Sequence, residues 1–340
     1  MEERNKRSSV HSVQCENMNK SILMRRSANE WMRISKHIPM PKMLFSEFWY
    51  EGEICFLFAD TNTGKSILAV QLGDSISSGI PVRNFKLESK KQKVLYFDFE
   101  LSSKQFESRY SEKVPSSDVF ENHYEFDDYF LRIELSRDID YSEVPNVDEM
   151  LIRAIEETII ETNSRVLIVD NLTYLKDETE KAKDASPLMK KLKELKTKYS
   201  LSILILAHTP KRDLSKPITQ NDLKGSKNLM NFSDSCFALG QSTKGSDIRY
   251  IKQIKARNTS ILYDTSNVIS CRISKSSNFL GFEFIDYNNE LEHLKEKPNK
   301  VSLILKVKEM IALGHTFREI SKETGLSLGT VSNYANEDGQ

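Results

Sequence analysis

Ile54-Cys-Phe-Leu-Phe-Ala59-Asp60-Thr61-Asn62-Thr63-Gly64-Lys65-Ser66-Ile67 passes from an apolar run into a polar turn and then into a helical pattern that continues to Ser78. This is the setting of the spacing G-x-x-x-x-G-K-[ST]. There, backbone N–H groups gathered at a helix N-terminus wrap a phosphate. Ala59 stands where the first glycine is usual, and alanine fits the end of a strand provided that φ stays negative. Gly64-Lys65-Ser66, where the backbone comes nearest the phosphate, is intact. The expected nucleotide-binding set is therefore Asp60, Thr61, Asn62, Thr63, Gly64, Lys65, Ser66 and Ile67. Lys65 is expected to reach the β- and γ-phosphates, and the Ser66 hydroxyl to ligate Mg²⁺.

Outward from this loop, short apolar runs alternate with helical patterns, which predicts βαβ units and a mostly parallel sheet. Ile54–Phe58, Val94–Phe99, Val166–Val169 and Ile203–Ala207 read as central strands, apolar throughout because helices cover both faces. Lys65–Ser78, Val147–Thr162 and Ser186–Tyr199 read as helices. Phe232–Leu239, Ile248–Ile254 and Phe282–Ile285 read as further strands at one edge. Val166-Leu-Ile-Val-Asp170 ends in a carboxylate suited to hold Mg²⁺ through its water shell. The next residue is Asn171, so the general base must lie elsewhere. Glu100 ends a neighbouring predicted strand and would face the same crevice. Asp98, two residues before it, is read as a sheet residue or a supporting partner.

On these residues the chain from Trp31 to Asp286 resembles the RecA-like hexameric ATPases, particularly RepA-type plasmid helicases and DnaB-type relatives. The resemblance implies a RecA-like P-loop fold, ATP as substrate, Mg²⁺, and assembly into a homo-oligomeric ring of six. It also implies roles for later residues. His208, ending Leu204-Ile-Leu-Ala-His208, would sense the γ-phosphate. Lys211 to Asn228 would be a DNA-binding loop carrying Lys211, Arg212, Lys216, Lys224 and Lys227. Lys255 and Arg257, in Lys255-Ala-Arg257-Asn258, would reach the γ-phosphate of the neighbouring subunit. The residues alone leave other readings open. His208 is also an ordinary strand-end histidine, Lys255 and Arg257 a solvated strand face, and the loop a charged surface segment. The loop has no aromatic residue before Phe232, so base stacking is not indicated there.

The flanks divide as a basic arm (1–30), the ATPase domain (31–289), a charged linker (290–300) and a helical module (301–340). Trp31 to Trp49, with Pro39 and Pro41, reads as an extended lead-in packed on the core. In the module, Thr316-Phe-Arg-Glu319 is a capping box and Ser327 a second helix start. Helix, glycine-bearing turn and helix resemble a helix-turn-helix, with Leu328, Gly329, Thr330, Ser332 and Asn333 at the recognition positions. These include no Arg or Lys, so protein docking or a purely structural role remains an alternative for the module. With 49 basic and 49 acidic residues the chain has no global field for nucleic acid, and DNA contact must come from local patches. The apolar runs are too short to span a membrane, the start has no signal-like apolar stretch, and the four cysteines fit no metal spacing; a cytoplasmic protein is expected. Function is read as an ATP-dependent DNA motor or loader on single-stranded DNA. The alternative is a DNA-binding recombination or regulatory ATPase that switches without unwinding.

Overall fold

The computed structural model describes residues 23–136, 138–139, 146–171, 185–210, 212–223, 226–296 and 300–337. They fall into two units, residues 1–41 and residues 42–340. In the first, Ala28–Ser35 forms a helix (α1), not the extended lead-in expected there. The cause is a capping box: Glu30 N donates to Ser27 Oγ, and Ser27 N donates back to the Glu30 carboxylate at 2.7 Å.

The second unit runs in chain order through β1 (Met43–Phe45), β2 (Trp49–Tyr50), β3 (Ile54–Ala59), α2 (Lys65–Ser78), β4 (Val94–Asp98), α3 (Ser103–Arg109), β5 (Glu112–Lys113), β6 (Phe120–Glu121) and β7 (Phe130–Ile133). It continues with α4 (Val147–Thr162), β8 (Val166–Asp170), α5 (Ala185–Tyr199), β9 (Ser202–His208), α6 (Ser226–Phe232), β10 (Ser235–Gln241), β11 (Ile248–Lys255), β12 (Val268–Ser276) and β13 (Phe279–Asn288). Among the described residues nine strands form one sheet, in the order β13-β12-β11-β10-β3-β9-β8-β4-β7. Neighbours from β10 to β7 are parallel. The strands β11, β12 and β13 extend the sheet antiparallel.

The central strands are apolar throughout because both faces are covered. Ile54, Phe56 and Phe58 of β3 join a core with Ile155 and Ile159 of α4 and Met189 and Leu192 of α5. Cys55, Leu57 and Ala59 point the other way, into a core with Leu68, Leu72 and Ile76 of α2 and with Leu44, Phe45, Phe48 and Trp49. Full burial of each such side chain contributes on the order of 1.5–3 kcal/mol.

Two expected boundaries move. Phe232 ends α6, and β10 starts only at Ser235. The linker expected from residue 290 begins as core: Glu290–His293 is a 3₁₀ turn in which Glu290 and His293 are buried. Glu290 Oε2 accepts from Lys252 Nζ at 2.5 Å, and Oε1 accepts from Ile218 N at 2.7 Å. Lys252 Nζ also donates to Ile218 O at 2.7 Å, so both backbone groups of Ile218 are held.

Beyond residue 299, α7 (Lys300–Ala312), α8 (Phe317–Thr324) and α9 (Leu328–Asn336) pack around Val307, Met310, Ile320 and Val331. The expected caps are present: Glu319 N donates to Thr316 Oγ1, and Thr330 N to Ser327 Oγ. Gly314 takes φ +86° after α7, a conformation that favours glycine. Phe317 is 40% exposed, while Ile320 and Val331 fill the small core. No described helix is long and apolar enough to cross a membrane.

These contacts set where the chain can be cut. Ending it at residue 296 should leave the sheet domain folded, because the three helices carry their own core. Glu290→Ala, by contrast, should cost about 3–5 kcal/mol by stranding Lys252 as a buried unpaired charge. Urea unfolding of the two variants measures both; a loss of cooperative unfolding on the truncation at 296 would show that the helices share the main core.

Candidate active site

The carboxyl ends of parallel strands set the site. Ala59 at the end of β3 is in register with His208 at the end of β9, and Asp98 of β4 with Asp170 of β8. The strands are adjacent in the order β3-β9-β8-β4 at about 4.8 Å spacing, and Val169 pairs with Ile205, so their carboxyl ends form a row with a two-residue step between β9 and β8. Lys65 at the head of α2 meets Ala59 and His208 of that row, and Ser66 meets Asp170.

Gly64 N-caps α2 at φ +104° and supplies no side-chain cap, which leaves the first helical N–H groups for a ligand. Any side chain there would clash as well as strain: a Cβ would lie 2.8 Å from Ile273 Cδ1 and 3.0 Å from Phe282 Cζ. Asn62 also turns left-handed, at φ +60°, which asparagine tolerates. Ala59 lies within β3 and outside the left-handed set, so alanine meets the condition set for that position. Arg249 of β11 was not singled out from the sequence, yet its Nε donates to Thr63 O at 3.0 Å and supports the loop from the side. Only the register of β11 against β10 brings it there.

Lys65 is 5% exposed, and its Nζ contacts Ala59 O at 3.1 Å, Asp60 O at 3.2 Å and His208 Nδ1 at 3.2 Å. Burial pulls its ammonium below the usual lysine range, while the charges of Asp170, Glu100 and Asp60 oppose that. Asp170 is fully buried. Burial raises its carboxyl to about 6; the Ser66 and Tyr96 hydroxyls lower it and the charges of Glu100 and Asp98 raise it again. Tyr96 OH donates to Asp170 Oδ2 at 2.8 Å, whereas Oδ1 is buried without a hydrogen-bond partner among the described residues. A buried carboxylate oxygen left over, with the Ser66 hydroxyl beside the same carboxylate, is a donor set of the hard-oxygen kind that Mg²⁺ requires.

The two candidate carboxylates separate by environment. Asp98 is buried and used on both oxygens: Oδ2 accepts from Arg132 Nε at 2.8 Å, and Oδ1 from Leu101 N at 2.9 Å and Glu100 N at 3.2 Å. It fixes the backbone that carries Glu100. Glu100 itself is exposed, and its Oε2 accepts from Asn171 Nδ2 at 2.9 Å. Asn171 Nδ2 also lies 3.2 Å from His208 Nε2.

Other expected site residues lie apart from this row. Lys255 pairs across the sheet with Cys236, at the start of β10, and so lies at the far end of the sheet from the phosphate loop. Its Nζ donates to Met230 O at 2.6 Å and Ser233 O at 2.7 Å, closing the end of α6. Arg257 is exposed and donates to Asp234 Oδ1 at 2.9 Å. Arg212, expected on DNA, is turned inward: its side chain is 5% exposed, with Nε 3.3 Å from Asp60 Oδ2 and Nη1 donating to Lys216 O. Asp60 of the phosphate loop holds it. Lys216 is exposed, as the expected surface contact requires. Lys211 and Lys224, and the side chain of Lys227, lie outside the described residues. On α9, Asn333 is exposed and Ser332 half-buried, while the Thr330 hydroxyl is paired with Ser327 at 2.8 Å.

A search of curated proteins finds no match. Among solved structures, the chain is similar to a KaiC-like protein from the hyperthermophilic archaeon Pyrococcus horikoshii OT3. The identity is 12% and the TM-score 0.47, over 69% of this chain and 91% of that one. Residues 21–213, more than half of the chain and including the phosphate loop, Glu100, Asp170 and His208, match the AAA domain. The chain belongs to the AAA domain family and is a P-loop ATPase.

Proposed function

We propose that the chain couples ATP hydrolysis to DNA as a subunit of a ring, in the manner of the RepA-type helicases its sequence resembles. The observation that carries this reading is a division of labour across the sheet. Lys65, Ser66, Glu100, Asp170 and His208 meet at one end of the strands, while Lys255 and Arg257 occupy the other. Cations placed there would serve the phosphate of a neighbour rather than that of their own subunit. Arg257, exposed and held by one surface ion pair, is the better placed of the two; Lys255 is engaged at the end of α6.

Within one subunit the N–H groups at the head of α2 and Lys65 hold the phosphates, and Ser66 and Asp170 would hold Mg²⁺. When bound, the ion neutralises charge on the β- and γ-phosphate oxygens. Glu100 accepts a proton from the attacking water as the water oxygen bonds to the γ-phosphorus and the bridging bond to ADP breaks. Asp98 keeps Glu100 in place through the backbone. Contact with DNA is assigned to Lys216 and its loop, where charge rather than shape is needed, and to Ser332 and Asn333 of the helix-turn-helix-like module.

Glu100→Gln should bind ATP as the native chain does and lose roughly 10²–10⁴-fold in turnover, because an amide cannot take the proton. Radiolabelled ATP hydrolysis beside a filter-binding titration measures the two. An active Glu100→Gln together with a dead Asp98→Asn would transfer the role to Asp98.

Lys65→Ala and Arg257→Ala should each be inactive, yet regain part of the activity when mixed. A chain with a dead loop still offers Arg257 to a neighbour whose loop is intact. Turnover of the mixture is compared with the sum of the separate variants, in an oligomer verified by light scattering. No gain in such an oligomer means that Arg257 does not act across an interface. Stimulation of turnover by single-stranded DNA, and displacement of an annealed strand, test the DNA part.

A further inference from the structure

Glu100 is carried by a turn between two elements: β4 ends at Asp98, and α3 begins at Ser103. A side chain on such a turn is aimed only as well as the backbone beneath it is held. Phe99 N donates to Asp170 O at 2.8 Å, and Glu100 N and Leu101 N donate to Asp98 Oδ1 at 3.2 and 2.9 Å. On the helix side, Leu101 O accepts from Arg132 Nη2 at 2.8 Å.

No motif singles out Arg132. It lies on β7, level with Tyr96 of β4 and so two residues short of Asp98. Its side chain runs along the sheet to the turn. Nε donates to Asp98 Oδ2 at 2.8 Å and Nη1 to the Glu134 carboxylate, and the guanidinium lies 4.5 Å from the centre of the Phe106 ring on α3. The Nε–H and an Nη2–H leave one edge of the guanidinium plane as a rigid pair. That edge joins the residue two before Glu100 to the residue one after it, and the ring contact adds the helix that follows. The Arg132 side chain is 16% exposed and that of Asp98 fully buried, so water competes little for these bonds.

We propose that Arg132 is a positioning residue for Glu100: its guanidinium closes the turn 98–101 and presets the carboxylate that takes the proton from water. This rests on the reading of Glu100 as the base, and it extends that reading to the edge strand of the sheet. Charge alone does not meet the requirement. A lysine at 132 could neutralise Asp98, but its ammonium has no second donor fixed in a plane for Leu101 O. The helix side of the turn is then free, and a shift of about 1 Å in a reacting group can cost on the order of 10²-fold in rate.

The test is Arg132→Lys in the full-length chain, with and without Glu100→Gln. Alone, it should bind a non-hydrolysable ATP analogue with native affinity and lose roughly 10- to 100-fold in kcat. In the Glu100→Gln chain it should change the residual single-turnover rate by less than about twofold, because the group it positions is already gone. A merely structural role would lower both rates alike. Native kcat in Arg132→Lys, or an equal loss in both backgrounds, overturns the inference and leaves the base assignment standing. A fully active Glu100→Gln defeats the base assignment, and the inference with it. Should Arg132→Lys fail to fold, amide exchange in the native chain decides. The Glu100 and Leu101 amides should exchange at least roughly 100-fold more slowly than in an unstructured peptide, and exchange at the rate of a free loop overturns the proposal.

Discussion

Burial of β3, β9, β8 and β4 on both faces is the constraint from which the rest follows. Side chains of alternating direction enter two separate cores, so none of the four strands has a solvent-facing register in which to place polar groups. Polar chemistry is pushed to the strand ends. Parallel pairing then sets Ala59 level with His208 and Asp98 level with Asp170, with a step of two residues between the two pairs. A slip of one residue in any of these strands would turn its terminal group from the crevice into a core.

How much of this was legible in the sequence depended on whether a signal was local. The phosphate loop, the helices Lys65–Ser78 and Val147–Thr162, and the caps at Thr316 and Ser327 depend on neighbours within a few residues, and the structure has them where the sequence put them. The strands β7 and β12 were not read. Phe130–Ile133 is short and carries Arg132, while Val268–Ser276 is buried only in its first half. Neither has the continuous apolar run that marked the central strands. The support from Arg249, the inward turn of Arg212 and the burial of Glu290 were illegible for another reason. Each depends on a partner 30 or more residues away, Thr63, Asp60 and Lys252 respectively, and a charged residue read alone is assigned to solvent.

Arg212 shows what such a partner changes. The loop after β9 starts at the phosphate loop, where Thr209 Oγ1 and Arg212 Nε meet the carboxylate of Asp60. It then meets the segment that precedes the helical module: Lys295 N donates to Leu214 O at 3.2 Å, and Glu290 and Lys252 hold Ile218. A stretch that composition assigned to a charged surface is tied at one end to Asp60 of the phosphate loop and at the other to the segment before the helical module. Lys216, between those ties, remains exposed.

Asn171 is best understood from the charge already present. Asp170 is pushed up to about 6 by burial and by the neighbouring Glu100 and Asp98, so the pocket is already strained for negative charge. A second carboxylate at 171 would raise that burden further and would oppose Glu100 directly. An amide adds no charge and can hand a hydrogen to Glu100, which a carboxylate cannot. With Glu100 beyond the end of β4 and Asp170 at the end of β8, negative charge is shared between two strands rather than one, and position 171 is left for a group that contacts both Glu100 and His208.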